Sequence, residues 1–262
     1  MTTLTPPPPT ERHPADAPGR RPLGSLRKTA LVAGVFYLLT FVSIPTLFIY
    51  APVRTPGYVL GPGPDTGVFV GGLLEVIVAL AGIGTAITLY PVVKRQNEGF
   101  ALGFVAARVL EAGLIFIGVI SLLSIVALRQ DLAGTDPDAL VAAGTSLVAV
   151  NAGTFLLGQS LIPGLNALLL GTLLYKARLV PRALPVLGLI GAPVHLAAVV
   201  ATMFGVFAQF STVPTLAAIP IALWEFSLGV WLVVKGFTPS PLTAGMSTPA
   251  ASPTSRNAPP DP

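Results

Sequence analysis

The stretch that decides the fold is FALGFVAARVLEAGLIFIGVISLLSIVAL, residues 100–128. It carries only two charged side chains, Arg108 and Glu111, and most of its other residues are apolar or small. A helix needs ~20 consecutive apolar residues to cross the ~30 Å hydrocarbon layer of a bilayer. The stretch exceeds that length, so it predicts a transmembrane helix.

Five other apolar segments of comparable length flank this one. They are residues 29–50, 68–93, 139–175, 184–210 and 213–234. The first segment is longer than the ~7–15-residue apolar core of a signal peptide, and it follows a polar tail. We therefore expect an uncleaved first span and an all-α, polytopic membrane protein with six transmembrane helices.

The composition supports a lipid environment. Charged residues make up 10% of the chain, against ~25% in ordinary globular proteins, and hydrophobic residues make up 53%. Mean hydropathy is +0.79. The chain contains no cysteine, which excludes disulfides, iron–sulfur clusters and thiol nucleophiles.

Two polar tails enclose the apolar region. Residues 1–26 are rich in proline, and residues 239–262 are rich in proline, serine and threonine. Such segments bury too little apolar surface to fold, which predicts disordered cytoplasmic tails. Residues 27–238 are then the six-helix transmembrane domain.

Residues 139–175 are too long for one straight span, and Pro163-Gly164 is a helix-disrupting pair. We interpret residues 137–150 as a helix near the outer surface, followed by a kinked span over residues 151–175. The alternative of two spans would reverse the orientation of everything downstream, and the charge distribution argues against it.

Basic residues mark one side of the membrane. Of the 15 lysines and arginines, 12 lie in the tails and in the second and fourth loops. An excess of basic residues is typical of cytoplasmic loops, so both termini should face the cytoplasm. Too few basic residues share one face to bind nucleic acid, and we expect no such partner.

Four ionisable residues lie inside the predicted spans: Glu75, Arg108, Glu111 and Glu225. Each must face a partner or water, because a charge at the bilayer centre costs ~2.5–3.5 kcal/mol or more. At ~1.5 Å per residue, Arg108 and Glu225 both fall ~12 Å from the inner surface. This predicts a buried cluster of Arg108, Glu111 and Glu225, with Glu75 at its outer end.

The remaining polar residues of the spans indicate packing more than chemistry. We expect His195, beside Pro193, to be a hydrogen-bonded packing residue. Asn151, Gln159 and Asn166 should satisfy carbonyls freed by Pro163, with a pore lining as the alternative. No nucleophile elbow, metalloprotease motif or phosphate-binding loop is present, so we predict neither a metal site nor a cofactor.

A set of short motifs resembles a known family. They are Leu31-Val32-Ala33-Gly34-Val35-Phe36-Tyr37-Leu38, Leu89-Tyr90-Pro91, Ala101-Leu102-Gly103, Arg108-Val109-Leu110-Glu111, Pro181-Arg182-Ala183-Leu184 with Gly188, and Trp231-Leu232-Val233-Val234-Lys235-Gly236-Phe237. Their order and spacing over residues 26–238 resemble the bacterial family known as domain of unknown function 4386. Ala183 replaces an aromatic residue that is usual in that family. The resemblance implies a multi-pass protein of the bacterial inner membrane and carries no activity, substrate or cofactor.

Three functions fit these observations. The first is a small transporter or channel that handles an ion or small solute at the Arg/Glu cluster. The second is a structural or accessory membrane protein that binds a protein partner. The third, an intramembrane enzyme acting on lipid, is the least favoured because the enzyme motifs are absent.

Overall fold

The computed structural model describes residues 24–130 and 136–246, and all regular secondary structure in these ranges is helical. The helices are α1 (Ser25–Leu39), α2 (Thr46–Ile49), α3 (Thr66–Val93), α4 (Glu98–Gln130), α5 (Pro137–Thr154), α6 (Ile162–Ala177), α7 (Ala183–Met203) and α8 (Thr212–Val234). A π-helix, Phe155–Leu161, joins α5 to α6. Most of the predicted disordered tails, residues 1–23 and 247–262, lie outside the described residues.

The prediction of six spans is confirmed. In the described ranges, six helical stretches are long and apolar enough to cross a membrane: Ser25–Ile49, Thr66–Val93, Glu98–Gln130, Pro137–Ala177, Ala183–Met203 and Thr212–Val234. Large apolar side chains cover their outward faces, among them Leu73, Ile120, Ile190 and Leu223, each more than half exposed. An apolar outer surface of this extent requires lipid as its solvent.

The spans form a closed ring. Helix α1 packs on α3, α3 on α4, α4 on α6, α6 on α7, α7 on α8, and α8 returns to α1. The largest buried cluster fills the centre of this ring and includes Phe104, Leu170, Trp224 and Leu228. The six spans follow one another around the ring in chain order, so the third span, α4, and the sixth span, α8, lie opposite each other.

Residues 137–177 form one continuous helical partner of α4. A Cβ on Gly118 would meet Asn151 and Thr154, and a Cβ on Gly103 would meet Leu169, so the two elements run antiparallel. The 33 residues of α4 extend ~50 Å, beyond the ~30 Å core, and α5 packs along its end. Residues 137–150 are helical, as predicted, and they continue without a break into residues 151–177.

Local residues set several helix ends. Asp136 accepts a hydrogen bond from the Asp138 amide at 3.2 Å, and Pro137 occupies the first turn, so α5 begins there. Arg178 ends α6 with a left-handed φ of 53°. Helix α7 ends at Met203, seven residues before the predicted end at 210, and a non-helical loop over residues 204–211 follows.

The first and last described residues lie at one end of the bundle, called here the basic end, together with the loops at residues 94–97 and 178–182. Arg27 donates to the carbonyls of Leu232 and Val233 at the end of α8. Ser240 donates to the Ala177 carbonyl at 2.7 Å, and Arg95 donates to the Leu242 carbonyl at 3.2 Å. The described chain thus continues past residue 238 and packs on this end.

Close approach of α1 and α8 depends on Gly34. A Cβ at Gly34 would lie 2.7 Å from the Gly229 carbonyl oxygen, which is backbone and cannot move aside. We expect Gly34→Ala to overpack this contact and cost about 1–3 kcal/mol, lowering Tm by roughly 2–10 °C in a detergent melting assay. Gly113→Ala is the matched control, because no atom lies within 4 Å of its Cβ position. Equal melting of both variants would contradict the packing described for α1 and α8.

Candidate functional site

Arg108 of α4 is the centre of the polar interior, with 2% of its surface exposed. Its Nη1 lies 3.0 Å from Glu111 Oε2, one turn along the same helix, and its Nη2 lies 2.7 Å from Glu225 Oε1 on α8. The guanidinium therefore reaches across the ring from α4 to α8. We call Arg108, Glu111 and Glu225 the Arg108 cluster.

Other elements of the ring complete the surroundings of the Arg108 cluster. Asn166 of α6 donates through Nδ2 to Glu111 Oε2 at 3.0 Å. The guanidinium carbon lies 5.4 Å from the centre of the Tyr37 ring of α1 and 5.7 Å from that of Phe104, which are distances for cation–π attraction. Helix α3 presents Gly82 to the Arg108 side chain. Helices α1, α3, α4, α6 and α8 thus converge on one charge.

Glu75 lies apart from the Arg108 cluster. Its side chain forms no ion pair with any residue that the structure describes, and it is 3% exposed. Its nearest polar neighbours are Tyr50 and Gln159. Of the four ionisable residues singled out in the sequence, the structure brings three together and leaves the fourth separate.

The hydrogen-bond partners of the uncharged polar residues in the spans match the expectation only in part. His195 donates through Nε2 to the Ser160 carbonyl at 2.8 Å, so it is hydrogen-bonded, as predicted. Asn151, however, donates to the Gly118 carbonyl of α4, and Asn166 to Glu111. Neither satisfies a carbonyl freed by Pro163, because both amides point across the hairpin towards α4.

Two adjoining cavities approach the Arg108 cluster. One of about 210 Å³ is lined by all three members of the cluster and by Gln159, Pro163 and His195. The second, of about 180 Å³, lies towards the end opposite the basic end and is lined by Gln209, Phe210 and Thr215 among others. Gln159, His195 and Ala218 line both cavities. The two cavities therefore share lining residues and together extend from the far end of the bundle to the cluster.

Several features of this site were not anticipated from the sequence. The π-helix over residues 155–161 turns Gln159 and Ser160 towards the cavities, and Tyr37 supplies an aromatic face to Arg108. Pro163 indicated an irregular helix in the fourth span, but it did not indicate that the irregularity is a π-helix. Within the described ranges, no group of three His, Asp or Glu residues could hold a metal ion.

A comparison with family models matches residues 32–236 to "Domain of unknown function (DUF4386)". The chain belongs to this family. The match confirms the resemblance found in the sequence and covers the six-helix ring except for the first seven residues of α1. No curated protein and no solved structure shows a significant match to the chain.

The ion pairs of the Arg108 cluster generate a stability prediction. Arg108→Met leaves two buried glutamates without their cation, and we expect a loss of about 3 kcal/mol, roughly 10 °C in Tm. Replacing the whole cluster with Arg108→Met, Glu111→Gln and Glu225→Met should restore most of that loss, because no unpaired charge remains. The measurement is thermal unfolding in detergent; a wild-type Tm for Arg108→Met would show that the pairs contribute nothing.

Proposed function

We propose that this integral membrane protein is a small transporter or channel whose binding site is the Arg108 cluster. The observation that supports the proposal is the cavity of about 210 Å³ on which all three charged side chains border. A cluster built only for packing would be enclosed by apolar side chains. Here the side chains of the ion pair that joins α4 to α8, Arg108 and Glu225, also line the cavity.

The charges of the cluster favour a cationic ligand. One arginine faces two glutamates, so the fully ionised cluster carries one excess negative charge. Glu225 is the more exposed acid, with 13% of its side chain accessible, and it borders the cavity. The volume holds several water molecules and is below the ~300 Å³ of sites for drug-sized ligands. We infer a small inorganic cation or a small solute with a cationic group.

Interrupted helices on both sides of the cavity support the same proposal. The first span leaves α-helical geometry at the 3-10 turn Thr40–Ser43, and the fourth at the π-helix. Thr40, Ser43 and Gln159 line the cavity. Irregular backbone at membrane depth is tolerated where protein or a water-filled cavity surrounds it, and transporters use such interruptions at their binding sites.

The second candidate is a structural or accessory membrane protein. Its specific support is the burial of Arg108, whose charge is neutralised by two glutamates of the protein itself. The variant with the whole cluster replaced separates the two functions. A scaffold would keep both its fold and a stoichiometric partner in mild detergent, whereas a transporter would keep its fold and lose flux.

Flux into proteoliposomes tests the proposed function. We expect wild-type protein to move at least one member of a panel of monovalent metal cations and small amines faster than empty vesicles. Glu225→Gln should lower that flux about tenfold, because it removes one charge-assisted contact of about 1.5–3 kcal/mol. Glu98→Gln is the control, since Glu98 is exposed at the basic end. No flux above empty vesicles for the whole panel contradicts transport.

We further propose that the basic end faces the cytoplasm of a bacterial inner membrane, because basic loops are retained on that side. The absence of native cysteine allows single-cysteine labelling with a membrane-impermeant thiol reagent added outside intact cells. Ala208→Cys, in the loop between α7 and α8, should react readily. Ala183→Cys, at the basic end, should react only after permeabilisation. The reverse pattern contradicts the orientation.

Ala218→Cys extends the same labelling experiment to the cavities. Ala218 lines both cavities, and the thiol should react because water allows it to ionise. Ile219→Cys is the matched control, since the neighbouring side chain is 45% exposed on the lipid face of α8. Equal protection of both thiols would mean that water does not enter the cavities.

A further inference from the structure

Glu75 is a buried carboxyl group that forms no ion pair with any residue in the described ranges. It lies in α3 with 3% of its surface exposed, and its Oε2 has no hydrogen-bond partner among the described residues. Arg54 interacts with it electrostatically but forms no ion pair with it, and the Arg54 guanidinium lies 4.7 Å from the centre of the Phe210 ring. Charged carboxylates in such surroundings are strongly disfavoured without a partner.

Tyr50 is an uncharged polar neighbour of Glu75. The Tyr50 ring lies against α3 at Gly71, where a Cβ would overlap the ring atoms, so glycine at this position allows Tyr50 to reach Glu75. The Tyr50 hydroxyl is buried and, like Glu75 Oε2, has no hydrogen-bond partner among the described residues. A phenol can donate to a carboxylate or accept from a carboxylic acid, so Tyr50 can accompany either form, and it is the lack of a paired cation that disfavours the carboxylate.

Glu75 is also separated from the charges of the Arg108 cluster. The Arg108 side chain lies beside Gly82 of α3. Glu75 precedes Gly82 by seven residues, or ~10 Å along the helix. Gln159 connects the two regions, because its side chain neighbours Glu75 and also lines both cavities. Around Glu75 the ionisable neighbours are Tyr50 and Arg54, both from the segment after α2, while the π-helix contributes the uncharged Gln159.

We propose that Glu75 is a proton-binding site distinct from the Arg108 cluster, holding one proton in the resting protein and exchanging it with water of the cavities beside Gln159. Binding forms an O–H bond between a proton from that water and one carboxylate oxygen; release returns the proton to water, and no other bond changes. The coupling of this proton to solute movement rests on the proposed function, whereas proton binding itself does not.

The proton on Glu75 is directly observable by infrared spectroscopy of the full-length protein in liposomes at neutral pH. A carboxylic acid gives a C=O stretching band that a carboxylate lacks, and the band shifts in deuterated water. We expect Glu75→Gln to remove one such component and Glu98→Gln to leave the spectrum unchanged. Tyr50→Phe should shift the component, because it removes the hydroxyl beside it. Identical acid bands in wild type and Glu75→Gln overturn the proposal.

Glu75→Gln is also the variant that should fold, because an amide has nearly the shape of the neutral acid. Its Tm should therefore remain close to that of the wild type, whereas a large loss would indicate that the ionised form is the native one. With a cation or amine of the panel that the wild type transports, an inward proton gradient should accelerate uptake. Glu75→Gln should abolish this acceleration but retain exchange of the same solute. Acceleration by the gradient in Glu75→Gln overturns the coupling. Absence of any flux would contradict the transport function and leave the infrared result standing.

Discussion

A guanidinium group buried among hydrocarbon must be neutralised, and the arrangement of the ring follows from how Arg108 meets this requirement. Its partners come from its own helix and from α8, which occupies the opposite position in the ring. The side chain therefore acts as a cross-link through the interior and not between adjacent helices. Removing one partner leaves an uncompensated charge, so α4 and α8 are held at one relative depth.

Much of the fold could be predicted from length and polarity alone, because a bilayer permits few structures to cross it. Contact between Arg108 and Glu225 could be anticipated from their equal depth, which needs only helix rise and span boundaries. The end of α7 at Met203 could not be predicted from the sequence, since residues 204–210 are as apolar as a membrane span. The π-helix, the Asn166 contact and the cavities depend on tertiary packing, which no local pattern of residues encodes.

The irregular stretches of the first and fourth spans meet at the same cavity. Pro163 removes one backbone donor, and the chain responds with a π-helix whose Ser160 carbonyl is satisfied by His195 of α7. The first span is interrupted by the 3-10 turn that precedes Pro45. Each interruption weakens its helix, and both turn polar side chains towards the interior. Because both irregular stretches line one cavity, we infer that they share a role in forming it.

The distribution of acids favours the proposed site over a scaffold. One glutamate would neutralise Arg108, yet two contact it, and a third, Glu75, is buried on the far side of Gln159 without any ion pair among the described residues. Buried ion pairs are poor sources of stability, and well-packed apolar side chains of similar volume often serve as well. The excess acids therefore do not follow from packing. Glu111 and Glu225 border the cavity of about 210 Å³, and Glu75 adjoins Gln159, which also lines it.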